Sequence, residues 1–267
     1  MGLSENKRNR DTLHCQRIRI RCMACLICIA DTPGENKMIK LVIFDMDGLM
    51  FDTERATCRA FMERAAAWGY QPTTEQYLQL LGLNAQAIQE KYFEFFGDKD
   101  IDAPELYRQV GERKLEILQT EGMPVKKGLF ELLDVLDELG VKKAVASGSG
   151  FESIERNIAD AGLTGRFDFL MTTEWVKRGK PYPDVFLAIC DKLAIAPEET
   201  LVLEDAQNGV RAALAGGIRV INVPDMLPLS DELAAQCVSV EESLADVIPY
   251  IRKEVSGQAH FPEHGIK

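Results

Sequence analysis

The amino-acid sequence predicts an α/β fold, in which a parallel sheet is interrupted once by an all-helical insertion. From residue 38 onward, short apolar runs alternate with amphipathic stretches, as in consecutive βα units. The apolar pattern is helical without a break between residues 53 and 122. We therefore expect an α/β core at 38–52 and 123–255, a helical insertion at 53–122, and a polar tail at 256–267.

The predicted strands are short, and runs such as Leu-Val-Leu at 201–203 are apolar without alternation, which indicates burial on both faces of the sheet. The predicted strands span 40–44, 143–146, 169–171, 201–203 and 219–223.

The helices of the insertion are predicted at 53–68, 74–81, 85–96 and 104–120, and Gly69, Gly82 and Gly97 stand where helix C-termini favour a left-handed residue. The helices of the core are predicted at 129–139, 151–161, 183–193, 206–215 and 240–255. About 65 residues of helix inside an α/β chain are most simply a small inserted domain.

Residues 1–37 differ in composition from the rest of the chain. They carry a net charge of +3 and four of the seven cysteines, Cys15, Cys22, Cys25 and Cys28. This spacing could indicate a metal or iron–sulfur site, and the arginines before the apolar run 22–30 could indicate a signal peptide. We favour a disordered extension, or a non-native one produced by translation from a start upstream of Met38.

The charge of the remaining 230 residues excludes some classes of partner. They carry a net charge of −14, against −11 for the whole chain, so nucleic acid and anionic membranes are poor partners. No apolar run approaches the roughly 18 residues of a membrane span. Only Cys58, Cys190 and Cys237 lie in this part, as expected of a reduced compartment. We predict a soluble, cytoplasmic monomer that binds a small metabolite.

Polar side chains follow two of the predicted strands as pairs of carboxylates. Asp45 and Asp47 come directly after Leu-Val-Ile-Phe, and Glu204 and Asp205 come directly after Thr-Leu-Val-Leu. Neighbouring carboxylates repel each other unless a cation or a basic group relieves them, which favours a metal site. Turn formation by Asp-x-Asp-Gly and helix capping by Asp205 are the alternatives.

Two further loops at the same predicted edge carry a hydroxyl and a cation. Ser147 and Gly148 follow the strand at 143–146 and precede a helix, an arrangement that suits an anion, although simple helix capping also explains it. Lys180 lies in a loop stiffened by two prolines, where a solvated lysine is the usual explanation. Because ligands bind at the carboxyl ends of parallel strands, the four loops together predict one site.

With these motifs in order, the chain resembles a haloacid dehalogenase superfamily hydrolase of the branch that contains β-phosphoglucomutase and small sugar-phosphate phosphatases. The resemblance covers essentially residues 38–255. The stretches that carry it are Asp-Met-Asp-Gly-Leu-Met-Phe-Asp-Thr-Glu (45–54), Ala-Ser-Gly-Ser (146–149), Gly-Lys-Pro-Tyr-Pro-Asp-Val-Phe (179–186) and Leu-Glu-Asp-Ala-Gln-Asn-Gly-Val (203–210). It implies a Rossmann-like core and a helical cap over the active site.

The resemblance also implies a role for each motif residue. It makes Asp45 the nucleophile that forms an aspartyl-phosphate and Asp47 the general acid and base. Mg²⁺ would be held by the Asp45 carboxylate, the Asp47 carbonyl oxygen and Asp205, with Glu204 as a further or water-mediated ligand. Ser147, Gly148 and Lys180 would bind the phosphoryl group of a small phosphorylated metabolite. Mg²⁺ and Lys180 would offset the repulsion between a carboxylate and a phosphate dianion.

Hydrolysis of a phosphomonoester, with a sugar phosphate as the expected substrate, is the preferred reaction among several alternatives. A dehalogenase would need neither Asp47 nor Asp205. β-Phosphoglucomutases usually have a histidine where this chain has Thr57, and an arginine where it has Ala85. A catalytically idle, metabolite-binding regulatory relative would be expected to lose Asp45, Asp47, Lys180 or Asp205, and all four are present.

Overall fold

The computed structural model describes residues 37–97 and 101–256, so the cysteine-rich segment at 1–36 lies outside the described residues. Its six strands are β1 (Leu41–Phe44), β2 (Lys142–Ser147), β3 (Phe169–Thr172), β4 (Thr200–Glu204), β5 (Arg219–Asn222) and β6 (Ser239–Val240). They form one sheet in the order β3-β2-β1-β4-β5-β6, and every neighbouring pair is parallel. The carboxyl ends of all six strands therefore point to the same edge.

Helices cover both faces of this sheet, and their apolar side chains form the hydrophobic core with those of the strands. The core helices are α5 (Leu129–Glu138), α6 (Phe151–Asp160), α7 (Asp184–Leu193), α8 (Gln207–Ala215), α9 (Asp231–Ala234) and α10 (Leu244–Ser256). Side chains of α5, α6 and α10 form one apolar cluster with β1, and those of α7 and α8 form a second cluster on the opposite face. Burial on both faces explains why β1 and β4 are apolar without alternation.

The helical insertion follows β1 and builds a core of its own. Its helices are α1 (Thr53–Ala67), α2 (Thr74–Leu78), α3 (Ala85–Phe96) and α4 (Ala103–Glu121). Phe61, Tyr77 and Tyr92 are buried at the centre of a separate apolar cluster, and their rings pack on each other. These aromatic side chains thus stabilise the insertion itself. We call helices α1–α4 the cap.

Local sequence signals fix the ends of the cap helices. The Thr73 hydroxyl accepts a hydrogen bond from the Gln76 backbone N–H, and the Gln76 side chain accepts one from Thr73 N–H in return, a reciprocal cap. Asn84 and Asp102 cap α3 and α4 in the same position. Gly97 ends α3 with φ +60°, in the left-handed region that glycine favours.

The predicted α/β fold with an all-helical insertion is confirmed, and the described helix and strand ends differ from the predicted ones by a few residues. The two-residue strand β6 and the single-turn helix α9 are among the short elements that were not predicted, because neither is long enough to show a period in the sequence. Within the described ranges, no helix is both long and apolar enough to cross a membrane.

Candidate active site

The four predicted loops meet at the carboxyl edge of the sheet because their strands are neighbours. β1 lies between β2 and β4, so the residues that end these strands are brought together. Asp45 follows β1, Ser147 is the last residue of β2, and Glu204 is the last residue of β4. All three are at least nine-tenths buried. The site is thus built at the ends of three adjacent strands inside the sheet.

Lys180 joins two of these strands. Its ammonium group donates hydrogen bonds to Asp45 Oδ1 at 2.5 Å and to Glu204 Oε1 at 2.6 Å. A third bond goes to the backbone oxygen of Ala146 at 3.1 Å. Only 12% of its side-chain surface is exposed. The interpretation of Lys180 as a solvated surface lysine, which the sequence left open, is therefore wrong.

Three carboxylates form the acidic part of the site. One oxygen each of Asp45, Glu204 and Asp205 lie within 4.8 Å of one another, a separation that a shared metal ion can bridge. We call these three residues the acidic trio. With Lys180 as the cation in contact with it, the trio is left with a formal charge of −2. A divalent cation would neutralise this charge.

Burial dominates the electrostatics of the acidic trio. It raises the pKa of Asp45 to about 8, with Lys180 acting in the opposite direction and the carboxylate of Glu204 adding to the rise. Burial and the carboxylates of Glu204 and Asp45 likewise raise the pKa of Asp205. Burial by itself would lower the pKa of Lys180, but the adjacent carboxylates outweigh it and raise that pKa. The protonated forms of Asp45 and Asp205 are therefore favoured, and a further cation besides Lys180 would be needed to keep all three carboxylates ionised.

Two glycines make room for the trio. A Cβ atom on Gly48 would lie 2.3 Å from Asp205 Oδ2, and one on Gly209 would lie 1.6 Å from Glu204 Oε1. Gly48 also has φ +92°, which a residue with a side chain rarely adopts. The second oxygen of Glu204 accepts a hydrogen bond from the Ala206 backbone N–H at 2.9 Å. Glu204 is thus fixed against the start of α8.

The side chain of Asp47 is held by hydroxyl groups. Its Oδ1 accepts a hydrogen bond from the Thr53 hydroxyl at 2.8 Å, and its Oδ2 accepts one from Ser149 at 2.8 Å. Ser147 is the third hydroxyl donor, at 3.4 Å. Lys114 of α4 brings its ammonium group to 4.0 Å from Oδ1. Asp47 is therefore in contact with both the core and the cap.

Sequence reasoning missed three contacts of Asp47, those made by Thr53, Ser149 and Lys114. Ser149 follows Ser147 by two residues, so the Ser-Gly-Ser pattern was a signal for it. Lys114 had none, because a lysine on an amphipathic helix is ordinarily solvated. Gly148 is exposed, and a Cβ atom there would meet nothing within 4 Å, so its predicted part in substrate binding rests on its backbone alone.

The sequence matches the model of one protein family. Residues 42–223 fit the family described as haloacid dehalogenase-like hydrolase, which is more than half of the chain and includes every residue of the candidate site. The chain belongs to this family. It is accordingly a hydrolase with the α/β core and helical insertion of the haloacid dehalogenase-like fold.

Individual relatives of the chain include named phosphatases. Over 184 residues the chain is 31% identical to the fructose-1-phosphate phosphatase YqaB of Escherichia coli, covering 68% of this chain and 95% of that protein. It is 31% identical over 202 residues to hexitol phosphatase A of the same organism, covering 75% of this chain and 91% of that protein. A solved structure of a β-phosphoglucomutase-like protein from Thermotoga maritima is 25% identical to this chain, with a TM-score of 0.69. The match covers 80% of this chain and 99% of that one.

Proposed function

We propose that this hydrolase cleaves a small phosphomonoester, with a phosphorylated sugar as substrate, through an aspartyl-phosphate formed on Asp45. The observation that supports it most is the buried acidic trio with Lys180 bonded to Asp45 and Glu204. Such a site is costly to fold unless it binds something that balances its charge. The names of two relatives, a fructose-1-phosphate phosphatase and a hexitol phosphatase, support sugar phosphates as the substrate class.

The donor set fits Mg²⁺. Asp45 and Asp205 would hold the ion by their carboxylates and Asp47 by its backbone carbonyl oxygen, with Glu204 bound directly or through water. These are hard oxygen ligands, and the charge of −2 left over by Lys180 matches a divalent cation. When bound, the ion supplies positive charge that offsets the repulsion between Asp45 and a phosphate dianion.

The proposed chemistry has two displacement steps at phosphorus. An oxygen of Asp45 attacks the phosphorus, the bond to the leaving oxygen breaks, and protonated Asp47 gives its proton to that oxygen. Asp47 then takes a proton from a water molecule, which attacks the aspartyl-phosphate, releases inorganic phosphate and restores Asp45. The hydroxyls of Thr53 and Ser149 fix the Asp47 carboxyl for both transfers.

Lys180, Ser147 and the backbone of Gly148 would bind the phosphoryl oxygens. Lys180 already contacts the attacking carboxylate, because its ammonium is 2.5 Å from Asp45 Oδ1. Charge on the transferring group spreads over its equatorial oxygens, so a fixed cation stabilises the transition state more than the ground state.

A phosphosugar mutase is the second candidate, supported by the likeness to the β-phosphoglucomutase-like structure. The residues weigh against it. Thr57 stands where a mutase usually has histidine, and its hydroxyl donates to the Thr53 carbonyl oxygen within α1. Ala85, the first residue of α3, stands where a mutase has an arginine for the second phosphate.

Release of inorganic phosphate from a panel of sugar phosphates, with Mg²⁺ or with a chelator, tests the proposal. We expect turnover with Mg²⁺ and its loss with the chelator. The Asp45→Asn variant should be inactive, and the exposed Lys177→Met variant should match wild type. Turnover that is indifferent to the chelator, or undiminished in Asp45→Asn, would refute the mechanism. Isomerised sugar phosphate without phosphate release would favour the mutase.

A further inference from the structure

The cap places a second carboxylate, Glu54, near the side chain of Asp47. Glu54 follows Thr53 in the first turn of α1, and Thr53 donates to Asp47 Oδ1 at 2.8 Å. Lys114 of α4 reaches to 4.0 Å from the same oxygen. The cap helices α1 and α4 thus lie directly beside the proposed proton donor. In the proposed reaction, this is where the leaving oxygen of the substrate must be.

A buried tyrosine holds Glu54 in place. The Tyr77 hydroxyl donates to Glu54 Oε2 at 2.5 Å and is 3.0 Å from the Glu54 backbone oxygen. Tyr77 is only 3% exposed, and its ring packs near that of Phe61 in the core of the cap. The position of the Glu54 carboxylate is therefore set by α2 before any substrate binds.

The other oxygen of Glu54 is free to accept a hydrogen bond. In the described part of the chain, Oε1 has no hydrogen-bond partner, and Glu54 makes no ion pair within 4.0 Å. The Glu54 side chain is only partly buried, and Oε1 is not among the fully buried, unbonded side-chain atoms of the described residues, so this oxygen is not sealed off from a ligand. Burial raises the pKa of Glu54, while the hydrogen bond from Tyr77 and the charge of Lys114 act in the opposite direction.

We propose that Glu54 is a specificity-determining residue that accepts a hydrogen bond from a hydroxyl group of the leaving sugar. The inference rests on the proposed function, because that function places the leaving group between Asp47 and the cap. A carboxylate is an acceptor only, so it favours a leaving group with hydroxyl donors over one without them. Tyr77 is its positioning residue. The site would therefore prefer polyhydroxylated phosphomonoesters to aryl or alkyl phosphates.

The experiment compares two substrates with Mg²⁺ present, the sugar phosphate that wild type hydrolyses fastest and p-nitrophenyl phosphate, whose leaving group has no other hydroxyl. Glu54→Gln keeps the shape of the side chain, and Glu54→Ala removes it. The quantity compared is the ratio of kcat/KM for the sugar phosphate to kcat/KM for p-nitrophenyl phosphate. In both Glu54 variants we expect this ratio to fall by roughly tenfold or more, mainly through a higher KM for the sugar phosphate. Tyr77→Phe should shift the same ratio in the same direction by a smaller factor.

Glu90→Gln is the matched control, since Glu90 is an exposed glutamate on α3 that accepts a hydrogen bond from Gln86. It should leave the ratio of the kcat/KM values for the two substrates at the wild-type value. Equal losses on both substrates, or no loss on either, would overturn the role of Glu54. Wild-type protein that releases phosphate from no sugar phosphate of the panel and none from p-nitrophenyl phosphate would overturn the proposed function as well, so the two failures are distinguishable.

Discussion

At the scale of single residues, Lys180 decides whether the acidic trio can exist in the folded protein. It lies 135 residues after Asp45 in the chain, yet its ammonium is the cation in contact with Asp45 and Glu204. A lone carboxylate in this interior would be protonated, and three would repel each other. The trio and the lysine are therefore one electrostatic unit.

Removing the cation from this unit should cost both stability and activity. We expect Lys180→Met to lower the free energy of unfolding in metal-free buffer by about 3–5 kcal/mol, because it leaves buried carboxylates unpaired. Phosphate release should fall by at least about a hundredfold. Urea denaturation and a phosphate assay measure the two effects. Lys177→Met, at an exposed position of the same loop, should change neither, and a Lys180 variant as stable as wild type would contradict the argument.

The raised pKa of Asp45 predicts how stability depends on pH. Because the folded-state pKa, about 8, lies above the ordinary value of 3.8, the folded protein binds this proton more tightly than the unfolded chain does. The associated stability is fully present below pH 3.8 and is lost as the pH rises to about 8. In metal-free buffer we thus expect the unfolding midpoint in urea to fall between about pH 5 and pH 8.

Two comparisons isolate this effect. Asp45→Asn cannot titrate, so its unfolding midpoint should depend less on pH across the same window. Mg²⁺ should raise the midpoint of wild type most at about pH 8, where the carboxylates are ionised and free to bind it. A wild-type profile that rises with pH in metal-free buffer would contradict the charge balance derived for the site.

At the scale of the elements, the first turn of α8 contains a glycine that leaves room for the side chain of Glu204. Gly209 lies inside α8, where glycine is intrinsically unfavourable, but Glu204 occupies the space that its Cβ would need. Strand β4 thus ends at Glu204, whose side chain packs against the helix that follows the strand. Glycine is required here by close packing, although its φ is ordinary for a helix.

Two glycine-to-alanine substitutions in helices should therefore have opposite effects. Gly209→Ala should lower the free energy of unfolding by about 2–3 kcal/mol or more, since the new methyl group overlaps the Glu204 carboxylate. Gly111→Ala, in α4 with nothing within 4 Å of the Cβ position, should raise it by about 0.5–1 kcal/mol. Chemical denaturation measures both, and a common sign for the two changes would refute this reasoning.

At the scale of the whole molecule, the cap is fastened to the core where the chain enters and leaves it. The Asp52 backbone N–H donates to the Pro124 oxygen at 2.8 Å, so the two connecting segments run side by side. Asp225, in the loop after β5, receives hydrogen bonds on the same oxygen from Arg55 of α1 at 2.8 Å and from Lys126 at 2.6 Å. One buried carboxylate thus joins three distant parts of the sequence.

This junction predicts a measurable contribution of Asp225 to stability. Its side chain is only 2% exposed, so Asp225→Asn, which leaves two cations facing a neutral amide, should lower the free energy of unfolding by about 1–3 kcal/mol. Arg55 is 56% exposed, which limits its share of this value. Glu138→Gln, at an exposed ion pair with Arg252, should change stability by less than about 0.5 kcal/mol. Urea denaturation of the two variants measures the difference, and equal losses would contradict the role of burial.

Much of this architecture could be predicted from the sequence. The order of strands along the chain, the helical insertion and the loops carrying Asp45, Ser147, Lys180 and Glu204 follow from apolar periodicity and from the position of polar residues after strands. Strand β6 does not, because its two residues show no period and pair with β5 only through the finished sheet. The contacts of Lys180 with Asp45 and Glu204 also needed the fold, since its motif taken alone looks like a solvated turn.

The amino-acid sequence alone specifies which residues end the strands, because burial on both faces of a parallel sheet demands apolar runs and leaves polar residues to the turns. Which of these residues touch depends on the tertiary structure. The order β2-β1-β4 brings Ser147, Asp45 and Glu204 to adjacent positions, and the cap adds Thr53, Glu54 and Lys114 beside Asp47. Contacts such as that of Lys180 with Asp45, 135 residues apart, depend on strand neighbours and helix packing, which no local pattern encodes.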